Sequence, residues 1–117
     1  MEKFNFENLI VYQKSLNLSK LICVKAGSFP QKFSRISDQL IGAIISVPLN
    51  IAEGSGRLSS KDKMNFYKTS RSSVYEVAAL LDITFNLKLI SEIENNNWRK
   101  EIIIIAKMIS SLINKLK

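Results

Sequence analysis

The chain has 117 residues, 46% hydrophobic and 23% charged, with four Gly and two Pro; this excludes a disordered or low-complexity chain and allows one core. Seventeen basic against ten acidic residues leave a net charge of +7, which favours polyanionic partners, nucleic acid first and anionic membrane second. The lone Cys23 excludes an internal disulfide and points to a reducing compartment, and the lack of any histidine excludes a Cys–His nucleophile pair.

Acids interrupt the apolar residues of Met1-Glu2-Lys3-Phe4-Asn5-Phe6-Glu7, which therefore lacks a signal-peptide layout. The longest uncharged stretch, Leu40 to Ala52, is about 13 residues and too short to span a bilayer. The expectation is one cytoplasmic domain over residues 1–117 with no membrane role.

From Asn8 to Ala26 the spacing predicts an amphipathic helix, with Val11, Leu18 and Ile22 on one stripe and Leu9, Tyr12, Leu16 and Cys23 beside it. Gly27 and then Phe29-Pro30 end it. Ser37 is the expected N-cap of a second helix, with Asp38 in its first turn. Leu40, Ile44, Val47 and Ile51 form one apolar row there, and Ile41, Ile45, Pro48 and Ala52 the next. Pro48 should kink this helix near Ile44, because proline lacks the N–H and crowds the carbonyl four residues back. Gly54 and Gly56 can take positive φ, as helix ends often require.

A long third helix runs from Ser60 to Lys88, capped by Ser59 or Ser60 and carrying Phe66, Ser70, Val74, Val77, Leu81 and Phe85 at spacings of three and four. After Leu89-Ile90, Ser91-Glu92-Ile93-Glu94 reads as a capping box for a fourth helix. Trp98, Ile102, Ile105, Ile109, Leu112 and Leu116 share one of its rows, and Ile103, Ala106 and Ile113 another. The run Ile102-Ile103-Ile104-Ile105 would suit a strand by itself, but its flanks keep a helical period. The predicted fold is all-α, an antiparallel up-down-up-down four-helix bundle. The apolar surplus on the second and fourth helices predicts a homo-oligomer, with Ile102, Ile103, Ile104 and Ile105 at the subunit interface.

The stretch Ser46-Val47-Pro48-Leu49-Asn50-Ile51-Ala52-Glu53-Gly54-Ser55-Gly56-Arg57 resembles the signature of the four-helix-bundle proteins encoded in intervening sequences of bacterial 23S ribosomal RNA genes. Leu9 to Lys14, Phe29-Pro30, Asp38-Gln39-Leu40 and Ser70-Arg71-Ser72-Ser73-Val74-Tyr75-Glu76 resemble further segments of that family. The resemblance implies a ring-shaped oligomer, most often a pentamer. It also implies kinship with the accessory variability proteins of diversity-generating retroelements, basic proteins that associate with a reverse transcriptase and nucleic acid. Ile41-Gly42 stand where the family often has paired arginines, and Ser72 stands where it usually has glycine.

No residues offer a catalytic, cofactor or metal site: zinc sites need Cys or His in numbers this chain lacks, and a general acid or base needs a partner and a pocket. Pro48, Asn50, Glu53, Gly54 and Gly56 read as a structural motif. In it Asn50 and Glu53 satisfy backbone groups freed by Pro48 or pair with Arg57 or Arg71. Arg57, Lys61, Lys63, Lys68 and Arg71 form a basic cluster, either a solvated helix face or a phosphate-binding surface repeated around a ring. A second basic set is Lys14, Lys20, Lys25, Lys32 and Arg35. The expected function is a non-enzymatic accessory or scaffold protein that binds RNA or DNA backbone, in company with a reverse transcriptase or another protein. The alternative is a structural or protein-binding oligomer with no nucleic-acid role, and a helical nuclease is disfavoured.

Overall fold

Four stretches of 3.6-residue apolar periodicity become four helices in the structure, a computed structural model that describes residues 1–117. These are α1 (Ile10–Gly27), α2 (Ser34–Ser55), α3 (Ser60–Asn86) and α4 (Glu92–Lys115), with short 3-10 turns at Asn5–Asn8 and Gln31–Phe33 and no strand. The four-isoleucine run is helical, as its flanks require. α2 packs against α1 and α3, and α4 against α3 and α1, around one shared core. Ile22, Leu40, Ile44, Val47, Ile51, Val77, Leu81, Ile105 and Ile109 are wholly buried there. No helix is long and apolar enough to cross a membrane.

Helix ends explain several boundaries. The Ser59 hydroxyl accepts the Asp62 N–H at 3.1 Å and starts α3. At α4 the box closes both ways: Ser91 Oγ accepts the Glu94 N–H at 3.0 Å, and Glu94 Oε1 accepts the Ser91 N–H at 2.8 Å. α3 stops where Lys88 takes φ 62°. The Lys88 N–H then reaches Phe85 O and the Leu89 N–H reaches Thr84 O, both at 2.9 Å, a Schellman closure built without glycine.

One expectation about α2 is corrected. Ser37 is no N-cap: α2 begins three residues earlier, leaving no acid in its first turn, and the buried Ser37 hydroxyl donates to Ala26 O at 2.7 Å. The helix continues through Pro48 to Ser55, as the apolar rows reaching Ile51 and Ala52 indicate. The Ile44 carbonyl that Pro48 leaves without a backbone donor lies 3.2 Å from Ser19 Oγ of α1, whose single proton it shares with the nearer Ser15 O at 2.7 Å. A neighbouring helix thus offers a shared donor to the group that a proline frees.

Hydroxyls also join α2 to α3. Ser70 Oγ donates to Val47 O at 2.8 Å, and the Ser46 and Ser73 hydroxyls share a hydrogen bond of 2.7 Å. Across the other helix pairs run Arg99–Asp82 at 2.7 Å, Lys25–Glu94 at 3.3 Å and Lys14–Glu101 at 3.9 Å. Gly54 lies inside α2 rather than beyond its end, and no glycine has positive φ. Its requirement is space: a Cβ there would stand 2.7 Å from Tyr67 Cε1 and 3.1 Å from Phe66 Cβ. Gly56 has ordinary right-handed geometry as the C-cap.

Candidate nucleic-acid interface

The basic cluster sits at the turn from α2 into α3, and that turn divides it. Lys63 points back at α2, its Nζ donating to Ser55 O at 2.9 Å, where a cation satisfies a terminal carbonyl and the helix dipole together. Arg57 lays its guanidinium over the Phe66 ring, 4.5 Å from the centroid. Phe66 lies about 140° around α3 from Lys61, so Arg57 occupies one flank of the helix. Lys61 and Lys68, seven residues apart and both exposed, share the outward face.

Arg71 belongs to the opposite flank. Its Nε donates to Ser110 Oγ of α4 at 2.9 Å and its Nη2 to Tyr75 Oη at 3.2 Å, with the guanidinium 4.9 Å from the Tyr75 ring centroid. Arg57, Lys61 and Lys68 therefore remain as outward cations at this end of the bundle, while Lys63 and Arg71 are engaged within the fold. None of the five forms an ion pair; the three pairs of the chain lie elsewhere.

The motif residues do not act as the sequence suggests. Asn50 Nδ2 donates to Ser46 O at 2.8 Å and to Ser46 Oγ at 2.9 Å, holding the serine that reaches α3. The Glu53 carboxylate is exposed, with no hydrogen bond and no cation partner within the chain. Helical projection also corrects the four-isoleucine interface. Consecutive helical residues point about 100° apart, so Ile102 and Ile105 are core, Ile104 is half-buried and only Ile103 is exposed.

Arg71 also borders a groove of about 720 Å³ between α3 and α4, which sequence reasoning missed. Val74, Ala78, Ile102 and Ala106 supply apolar lining, and Lys107 and Lys115 are its other cations. No carboxylate lines it. The ladder Ile103, Lys107, Ser111, Lys115 at spacing four was the available signal. Cys23 is half-buried on α1, and burial pushes its thiol pKa up, away from a reactive thiolate. No three His, Cys, Asp or Glu side chains converge as a metal site.

These features define a basic, all-α four-helix bundle. The chain belongs to the 23S rRNA-intervening sequence protein family, whose sequence profile matches residues 7–111. It is similar in structure to a protein of unknown function from the S23 ribosomal protein family of Bacteroides thetaiotaomicron. That likeness has a TM-score of 0.80 at 20% identity and covers 89% of this chain and 98% of the other, which shows a common fold. No curated protein matches the chain.

Proposed function

We propose that this protein is a non-enzymatic accessory or scaffold protein that forms a ring-like homo-oligomer and holds the phosphate backbone of RNA or DNA. The observation that carries the reading is the set Arg57, Lys61 and Lys68, exposed together at one end of the bundle and free of carboxylate partners. A ring repeats that set around its axis and multiplies the field of one subunit. Family membership supports a subunit of this shape, and the resemblance to pentameric relatives supports the ring. An alternately up and down course of the helices is supported by the cross-links: Ser19 with Ile44 and Ala26 with Ser37, then Val47 with Ser70, then Arg71 with Ser110 and Asp82 with Arg99.

Such side chains bind phosphates, so association is indifferent to sequence and weakens steeply with salt. The test is a mobility-shift titration against structured RNA and duplex DNA at low and moderate salt. The Lys61→Glu/Lys68→Glu variant should weaken binding at least tenfold, and removing each phosphate-binding cation should lower the salt slope by about 0.9 on duplex DNA. Absence of binding at low salt overturns the nucleic-acid reading and leaves a protein-binding oligomer.

A further inference from the structure

We infer that the outward stripe of α2 on one copy seats in the α3–α4 groove of the next, with Glu53 meeting Lys107; this rests on the ring-like oligomer proposed above. The stripe is Asp38, Ile45, Leu49 and Glu53, all exposed, at the spacings of seven and four that keep residues on one helix face. Ile45 and Leu49 are 45% and 53% exposed, two aliphatic side chains in water on an otherwise well-buried helix. Neither carboxylate of the stripe has a cation partner within its own chain.

The groove is complementary. Its alanines and isoleucines offer apolar floor, Ile103 is 50% exposed beside them, and Arg71, Lys107 and Lys115 face it without a carboxylate. A phosphate backbone has no use for that floor; an aliphatic stripe ending in a carboxylate does. The spacing also agrees, since Leu49 and Glu53 are one turn apart on α2 as Ile103 and Lys107 are on α4, about 6 Å in each case.

Direction is decided by charge. With Leu49 over Ile103, parallel helices bring Glu53 to Lys107. Antiparallel helices would instead bring it to Arg99, which is already paired with Asp82 at 2.7 Å. In an up-down bundle α2 and α4 run the same way, and rotation about a ring axis along the bundle keeps them parallel between copies. The two faces differ, so the contact is heterologous and can close a ring.

Sedimentation equilibrium of the wild-type chain, Glu53→Lys, Lys107→Glu and the double reversal provides the test, with circular dichroism confirming helix content. Each single reversal should drop the mass toward the 13.3 kDa of one chain, and the double reversal should regain the wild-type mass. In a Cys23→Ser background, Leu49→Cys with Ile103→Cys should form a disulfide between chains on oxidation, a readout that does not depend on the charge variants. An oligomer whose mass ignores the single reversals, or is not regained by the double one, overturns this interface and leaves the ring. A monomeric wild type overturns both.

Discussion

Small side chains line both the α2–α3 seam, where the helices meet closely, and the α3–α4 seam, where they stay apart at the surface. On the α2–α3 side, Gly54 lets Tyr67 approach to a distance that no Cβ would permit, and the hydroxyls of Ser46, Ser70 and Ser73 close hydrogen bonds across the seam. On the α3–α4 side, Ala78 and Ala106 face open space, and the gap becomes a groove with cationic walls. A small residue therefore permits close approach without causing it. Approach follows where a large neighbour fills the space or a hydroxyl finds a carbonyl, as Ser70 finds Val47.

The contrast between the two seams is tested most severely by cavity formation. Ile44→Ala on the tight side should cost about 2–5 kcal/mol in urea unfolding, because Ile44 is wholly buried. Ile103→Ala on the open side should stay within about 0.5 kcal/mol under conditions that keep the chain monomeric; equal losses would erase the contrast. Overfilling is the second probe. Gly54→Ala should cost about 1–3 kcal/mol by displacing Tyr67, whereas Ala106→Leu should fold normally and reduce assembly by occupying the groove. Third, Ser19→Ala removes the donor that Ile44 O shares with Ser15 O and should cost about 0.5–1.5 kcal/mol. A smaller loss would mean that another group satisfies the Ile44 carbonyl.

Acid should loosen α4, the helix of the open side, through Glu94. Burial by itself would raise the Glu94 pKa, but the Ser91 N–H and the Lys25 ammonium outweigh it and hold the pKa below its ordinary value. A carboxylate depressed in this way contributes stability above its unfolded pKa and loses it as pH falls through the folded one. Thermal melts taken downward from pH 4.5 should therefore show a falling melting temperature that Glu94→Gln flattens; parallel profiles would remove Glu94 as the cause. The smallest effect expected is a gain: Gly42, mid-helix with nothing within 4 Å of a Cβ, should stabilise α2 by about 0.5–1 kcal/mol as Gly42→Ala.

Helix identity was legible because it depends on local periodicity and caps. The Ser59 cap and the Ser91–Glu94 box appear as the sequence indicates, and Val74, Val77 and Leu81 are buried at the spacings that predict them. The candidate site was legible only in part. Five cations near one turn are a sequence fact, but Lys63 bends back onto Ser55 and Arg71 leans onto Ser110, and both partners lie on other helices. Glu53 was misplaced for a related reason: of the arginines expected to pair with it, Arg57 lies over the Phe66 ring and Arg71 on Ser110 and Tyr75.

Patterns at the spacing of helical turns, together with composition, were enough to specify an all-α chain of four helices, the N-caps of α3 and α4, most of the buried rows and a basic surface. Three-dimensional packing alone settled which donor approaches the carbonyl opposite Pro48, that Gly54 serves close approach rather than a turn, and that α3 and α4 leave a groove. Each of these depends on which atoms of a distant segment arrive beside a residue, and spacing along one chain does not carry that information.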